Sequence, residues 1–307
     1  MKTITNNTAA ILSELSGVIQ HLNASDLIYP KGTIAPSFIA PLGIRSLVKN
    51  APQGSFAYSF QYAATTDWQN TSNYQWSSFK KEPIIEDLQT LFTNCQIMSF
   101  ADWSDIYGAT DLWDGLLRDV IKPLRKKNFE FVFYLGNPAK KSAFEVDEIL
   151  DIIGDYSLYG LVTLVLDEGE ADKLWLVLNG YDPNKSLSPL LLCSPEERNL
   201  SIFNTVNINH LLINFTDHIL SISRQGRFEL VYKVHDNASI ANYAKNNFNA
   251  GYSLGLQLQL ELSQCAALGL AVSGSYRENG ICPDRSALLL YIKKWMAEGV
   301  LHLLSVP

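Results

Sequence analysis

The sequence is poor in the residues that announce metal, redox or nucleic-acid chemistry. Its 307 residues hold only four cysteines, Cys95, Cys193, Cys265 and Cys282, and none stands in a C-x-x-C spacing. That excludes a cysteine zinc site and a disulfide framework, and leaves reduced thiols buried in a core. The basic clusters are short, Lys80-Lys81 and Arg125-Lys126-Lys127, and read as solvated faces. With a net charge of −7 and a pI near 5.3, the chain lacks the positive surface that binding nucleic acid requires. No run reaches the roughly 18 apolar residues of a membrane span. The opening Met1-Lys2-Thr3-Ile4-Thr5-Asn6-Asn7 has no apolar signal-peptide core. The expectation is a soluble, cytoplasmic protein with neither a nucleic-acid nor a membrane partner.

What is present is material for a large core: 47% of the residues are hydrophobic and 18% charged. That supports a single α/β domain over residues 1–307. Residues 8–22 carry an apolar stripe (Ala9, Ile11, Leu12, Leu15, Val18, Ile19, Leu22) at helical spacing. Residues 23–50 are turn-rich, broken by Pro30, Gly32, Pro36, Pro41 and Gly43, with room for a short helix over 34–42. Behind Pro52-Gln53-Gly54, residues 55–62 alternate aromatic with small or polar side chains, the pattern of a half-buried strand. Residues 65–78 read as an irregular loop.

From Pro83 onward the pattern becomes repeated β/α units. Helices are expected over 84–91 and 110–124 and strands over 95–100 and 129–135, with Gly136-Asn137-Pro138 as a strand-to-helix turn. A strand over 159–166 leads through Asp167-Glu168-Gly169-Glu170 into another helix. A surface excursion over 180–200 ends in a short helix after Ser194-Pro195, followed by a strand over 211–215 and a hairpin over 221–234 turning at Gln225-Gly226. Helices over 247–258, 262–275 and 285–298 close the domain. Such alternation implies a parallel sheet between helical layers, with ligands at the carboxyl ends of the strands. His218 and His235 stand alone and read as solvent or core histidines.

The run Asn242-Tyr243-Ala244-Lys245-Asn246-Asn247-Phe248-Asn249-Ala250-Gly251-Tyr252 organises the last third of the chain. Asn246 and Asn247 are good helix caps, and Phe248, Gly251, Tyr252 and Gly255 recur at three- and four-residue steps. A loop opening into a buried helix is the expectation. The amino end of such a helix presents unpaired N–H groups and a positive dipole end, so it can hold an anion, although many helices begin this way with no ligand.

Asn247-Phe248-Asn249-Ala250-Gly251-Tyr252, with Cys265-Ala266-Ala267-Leu268-Gly269-Leu270-Ala271, Tyr276-Arg277 and Gly280-Ile281-Cys282-Pro283, resembles the C-terminal end of the ribokinase-like carbohydrate kinases, the PfkB family. Ala101-Asp102-Trp103-Ser104, Asp111-Leu112-Trp113 and Phe133-Tyr134-Leu135-Gly136-Asn137-Pro138-Ala139-Lys140-Lys141 resemble a subgroup of that family. The resemblance is close over roughly residues 95–300 and loose before them. It implies a ribokinase-like three-layer α/β/α sandwich with a mostly parallel central sheet and a small β lid. By position residues 52–66 match that lid, and an ordinary sheet edge fits the same alternation. The family's opening strand, which brings a sugar-binding Asp, would lie before residue 1.

The resemblance also implies a set of site residues. In the family a Gly-Ala-Gly-Asp tetrapeptide precedes the Asn-Phe-Asn-Ala-Gly helix, its glycine amides forming an anion hole and its Asp acting as base. Those positions here are Tyr243, Ala244 and Lys245 for the anion hole and Asn246 for the base. Two family carboxylates at a strand end have become Tyr134 and Asn137, and where the family carries a strand-end His-Pro this chain has Asn214-Phe215-Thr216. Asn7-Thr8-Ala9 is similar to the second half of a Gly-Gly-x-x-x-Asn-x-Ala stretch whose glycines would fall at Lys2-Thr3. Asn7 and Asn137 are therefore the substrate-side candidates. Asp167 and Glu170 match the family's Asn-x-x-Glu, which orders a magnesium–phosphate network, with Asp in place of Asn; acids in a first helical turn are also favoured by the dipole alone. The implied cofactors are ATP and Mg2+ and the implied ligands a sugar and ATP. A homodimer is compatible with the resemblance.

The substitutions have direct chemical meaning. An Asn amide cannot take up a proton as a carboxylate does, and a positioned general base is worth about 10²–10⁴-fold in rate. Glycines allow positive φ and close approach to phosphate, whereas Tyr243 and Lys245 carry a Cβ and bulk. Lys245 could attract a phosphate as a point charge. These substitutions leave three readings. The first is a catalytically impaired kinase homologue that binds a sugar, a nucleotide or a protein. The second is an active kinase with rearranged chemistry, Lys245 steadying the phosphate and Asp167 or Glu170 serving the metal. The third is an interaction module that offers only a surface.

Overall fold

A computed structural model describes residues 8–21, 44–49, 58–60, 75–80, 82–100, 102–232, 241–281 and 283–304. In chain order these form α1 (Thr8–His21), β1 (Ile44–Lys49), β2 (Tyr58–Phe60), α2 (Trp76–Phe79), α3 (Glu82–Thr93), β3 (Cys95–Phe100) and α4 (Ala109–Leu116). A π-helical turn over Leu117–Ile121 carries α4 into α5 (Lys122–Leu124), followed by β4 (Phe129–Tyr134), α6 (Ala143–Tyr156), β5 (Gly160–Asp167), α7 (Glu168–Leu178) and α8 (Pro195–Thr205). The chain continues through β6 (His210–Asn214), β7 (His218–Ser223) and β8 (Gly226–Val231) to α9 (Ala241–Gln257), α10 (Leu262–Asn279) and α11 (Arg285–Leu304).

The strands make one eight-stranded sheet in the order β2-β1-β3-β4-β5-β6-β7-β8. Its centre, β3 to β6, is parallel, and both flanks are antiparallel. Strands buried on both faces read as continuous apolar runs, and β4 shows why this chain needs two helical layers. Phe129, Phe131 and Phe133 point into a cluster with Phe100, Trp113 and Tyr156, roofed by α3 to α8. Val132 and Tyr134, on the other face, join Ile97, Val165 and Leu212 beneath α1, α9, α10 and α11. The result is the three-layer α/β/α sandwich expected from the sequence. Phe100 stacks on Phe133 at 4.8 Å, and the Tyr156 hydroxyl donates to the Trp113 carbonyl at 2.9 Å, so the first face has a polar anchor inside its aromatic core.

Two expectations change, at residues 44–49 and at the end of 65–78. Residues 44–49, within the turn-rich segment, form a strand antiparallel to β3, since pairing with a buried neighbour outweighs the local Pro and Gly signals. The helix over 34–42 lies outside the described residues. Of the segment 52–66, Tyr58–Phe60 is described, and it extends the main sheet as the edge strand beyond β1; the rest lies outside the described residues. The end of the expected loop over 65–78 folds as α2. There Trp76 is buried against Gly115 of α4, its backbone N–H donating to Asp111 at 2.5 Å and its indole to Asp119 at 2.6 Å.

Candidate functional site

The turns that follow β3 and β4 are stitched together at the carboxyl ends of the strands. The Ser104 N–H, in the turn after β3, donates to the Leu135 carbonyl at 2.8 Å, while Ser104 Oγ accepts from the Asn137 N–H at 3.0 Å. Gly136 has φ of +70°, and a Cβ there would sit 2.4 Å from Ser104 Oγ, so only glycine lets the two turns meet. Asn137 Oδ1 accepts from the Ala139 N–H at 3.1 Å and caps the short 3-10 turn Pro138–Lys140. The substrate-side candidate Asn137 therefore serves as a turn cap, and Asn7 lies outside the described residues.

At the end of β5, Asp167 and Glu170 form a reciprocal capping box. The Glu170 N–H donates to Asp167 Oδ1 at 2.8 Å and the Asp167 N–H to Glu170 Oε2 at 3.0 Å. Among the described residues no group of three or more His, Cys, Asp or Glu side chains is arranged to hold a metal ion. The two acids expected as Mg2+ ligands form the cap of α7.

The largest difference from the sequence reading lies at α9. The helix starts at Ala241, six residues before the position expected from Asn246 and Asn247, so residues 243–246 are helical and no loop precedes Asn247. In a helix the first few N–H groups alone are left without intrahelical partners. With this start the amides of Ala244, Lys245 and Asn246 fall within the helix, and the leading donors belong to residues 241–243. At a rise of about 1.5 Å per residue, the anion-attracting end lies about 9 Å ahead of the expected place. The side chains of Tyr243, Ala244, Lys245 and Asn246 lie outside the described residues.

Asn247, read as a cap, is instead buried, with Asn249 and Ser253. Ser253 donates to Asn249 Oδ1 at 3.2 Å and lies 3.3 Å from Ser99 Oγ of β3, and the Tyr252 hydroxyl lies 3.3 Å from Thr163 Oγ1 of β5. These bonds pin α9 across the sheet. Close approach to α10 holds its other side: a Cβ on Gly251 would fall 2.7 Å from the Leu268 carbonyl oxygen, and one on Gly255 2.7 Å from Cys265 Cα.

Between these parts stands Tyr134, the last residue of β4. It is 2% exposed, and its hydroxyl has no hydrogen-bond partner among the described residues. Burial, reinforced by the carboxylates of Asp102 and Glu170, pushes the phenol well above its usual ionisation range, so it stays neutral. Sequence reasoning registered Tyr134 as a lost carboxylate and gave it no role; its position at the end of a two-face-buried strand was the available signal. The His218 ring stacks on Phe215 at 4.2 Å and its Nδ1 pairs with Asp217 Oδ1 at 2.7 Å. A shallow pocket of about 220 Å³ lined by Phe203–Ile208 and Arg224 lies at the opposite, amino end of the parallel strands.

No family model and no curated protein matches the chain. Among solved structures, a sugar kinase from Clostridium perfringens is similar at 16% identity and a TM-score of 0.48, over 70% of this chain and 60% of that one. An adenosine kinase from Trypanosoma brucei brucei is similar at 11% identity and 0.47, over 66% and 56%. A ribokinase from Thermotoga maritima is similar at 13% and 0.45, over 81% and 69%. The chain thus spans less than two thirds of the length of the first two. At these identities the likeness concerns the fold alone, and the chemistry of the site rests on the chain's own side chains.

Proposed function

We propose that the chain is a catalytically impaired homologue of the ribokinase-like carbohydrate kinases, acting by binding a sugar, a nucleotide or a protein partner instead of by phosphoryl transfer. One observation carries this reading: the positions matching the family's glycine loop and base are Tyr243, Ala244, Lys245 and Asn246, and they lie within the first turns of α9. The amides of Ala244, Lys245 and Asn246 are committed to helix bonds and cannot close around a phosphate, and an Asn at the place of the base removes about 10²–10⁴-fold in rate. The use of Asp167 and Glu170 as a helix cap and of Asn137 as a turn cap supports the same reading. Cys95, Cys193 and Cys265 are free thiols, which suits a reducing, cytoplasmic compartment.

The test is ATP consumption over a broad panel of sugars with Mg2+. Background rates are expected for the wild type and for Asn246→Asp, because restoring the carboxylate does not restore the anion hole. Sugar-dependent turnover above about 1 s⁻¹ by the wild type would overturn the reading, since that is the ordinary range of enzymes.

A further inference from the structure

Single exposed leucines are ordinary on a protein surface, whereas several gathered in one short segment mark a contact. The 3-10 turn Ser188–Leu192, which leads into α8, carries such a group: Leu191 is 88% exposed, Leu192 71%, and Leu187 at its N-cap 57%. The turn is fixed in place. Leu190 packs on the core, and the buried Arg198 donates from Nη1 to the Leu190 and Cys193 carbonyls at 2.8 Å each, clamping the backbone on both sides of the Leu191-Leu192 pair. Asn184 Nδ2 donates to the Ala139 carbonyl at 3.0 Å, and Arg198 pairs with Asp172 near the start of α7. These ties set the leucines at the rim outside the carboxyl ends of the strands, where Phe144 of α6, 75% exposed, also stands. Apolar side chains held this way lose little freedom on association.

The border of this apolar group is acidic. Between residues 167 and 198 seven acids stand against three bases. Two of those bases are already neutralised, Lys185 by Asp182 at 3.2 Å and Arg198 by Asp172 at 2.9 Å. Beyond Phe144, α6 adds Glu145, Asp147 and Glu148 and contains no base. We propose that Leu187, Leu191 and Leu192 form the docking point for a protein partner that presents an apolar helix face bordered by Lys and Arg. The inference takes up the protein-partner arm of the proposed function and rests on it. Opposite charge across an interface steers and selects a partner, and like charge opposes association. A second copy of this chain would bring the same acidic border to the contact, and an anionic lipid surface would be repelled by it, so a basic protein segment is the occupant that the border fits.

Fluorescence anisotropy of the full chain with a labelled amphipathic helical peptide, leucine along one face and lysine along the other, tests this. Two control peptides carry glutamate for every lysine or serine for every leucine. The wild type is expected to bind the first peptide at least about tenfold more tightly than either control, with affinity falling as salt is raised. Leu191→Ser combined with Leu192→Ser should remove at least about tenfold of that affinity. Leu290→Ser, at an exposed leucine of α11, should leave it unchanged. Both variants should melt with the wild type, since neither removes a buried side chain. Absent binding, or equal binding of the three peptides, overturns the proposal, as does an affinity that the double variant keeps or that Leu290→Ser equally loses. Self-association of the wild type in sedimentation that the double variant abolishes also overturns it, because the face then belongs to a second copy. These results leave the impaired-kinase reading standing, whereas sugar-dependent ATP turnover by the wild type removes that reading without touching the peptide measurements.

Discussion

Replacing Gly251 by alanine tests whether the helix that carries the family-like run is held by packing. Gly251 lies in the middle of α9, where a Cβ would stand 2.7 Å from the Leu268 carbonyl oxygen, 2.8 Å from Gly269 Cα and 3.0 Å from Val272 Cγ2. Two of these atoms are backbone, so no side chain can swing aside, and ordinary contact at 3.4 Å or more requires α10 to withdraw by most of an ångström. Overpacking costs about 1–3 kcal/mol, and contact with two backbone atoms places this site in the upper part, about 2–3 kcal/mol, of which alanine's better helix propensity returns about 1 kcal/mol. The expected net loss is about 1–2 kcal/mol. Gly17 in α1 is the control, because a Cβ there meets nothing within 4 Å. Gly17→Ala should gain about 0.5–1 kcal/mol from propensity and the reduced freedom of the unfolded chain. Urea unfolding of both variants reads the two signs side by side, with the m-value checking that the transitions stay comparable. A Gly251→Ala protein as stable as the wild type, beside a Gly17→Ala protein that gains, would refute the account of why glycine stands in this run.

Three further substitutions probe charge and capping. Burial beneath α9 and α10, beside Tyr252 and Cys265, pushes the Glu130 carboxyl up to about 7 from its ordinary 4.5. The folded-state value lies above the unfolded one, so the group costs nothing below about pH 4.5, and its cost grows until it is complete above about pH 7. Glu130→Gln should therefore gain on the wild type by on the order of 2–3 kcal/mol between pH 4.5 and pH 8; a difference that stays level across that range contradicts the assignment. Arg198 is buried, with Nε and Nη2 on Asp172 Oδ1 at 3.1 and 2.9 Å and Nη1 on the carbonyls of Leu190 and Cys193 at 2.8 Å each. Lysine keeps the charge and loses the fork, and chemical denaturation of Arg198→Lys should show a loss of about 2 kcal/mol. Asp167→Ala removes the cap of α7 and should cost about 1 kcal/mol. Under the impaired-kinase reading Mg2+ and chelator should leave the melting temperature of the wild type unchanged, and a Mg2+-dependent rise that disappears in Asp167→Ala would establish a metal role for this pair.

The central strands were legible because burial on both faces leaves an unbroken apolar signature, as in Phe129-Glu130-Phe131-Val132-Phe133-Tyr134. The strand β1 was not, because its pairing partner β3 lies some fifty residues away and its own neighbourhood is dense in Pro and Gly. The start of α9 was misjudged for a more specific reason. Asn246 and Asn247 carry side chains suited to capping, but a buried Asn also suits a helix that must reach polar groups on a sheet. In this chain Asn247 and Asn249 are buried, and Asn249 bonds Ser253, which faces Ser99. Spacing alone cannot separate a cap from a polar residue turned inward. The capping role of Asp167 was half legible, since an acid three residues ahead of a glutamate is itself a helix-start signal.

The residues that carry the family resemblance divide by what constrains them. Gly251, Gly269 and Phe248 sit where two helices touch: a Cβ on Gly269 would meet the Phe248 ring at 2.8 Å, so their identity is set by distance. Asn137, Asp167 and Glu170 sit where a strand becomes a helix or turn, and their side chains are spent on backbone N–H groups at that junction. Tyr134 belongs to neither group, for its ring is packed while its hydroxyl makes no bond among the described residues. Substitutions in the first two groups should consequently register as changes in unfolding free energy with ligand affinity following only through the folded fraction.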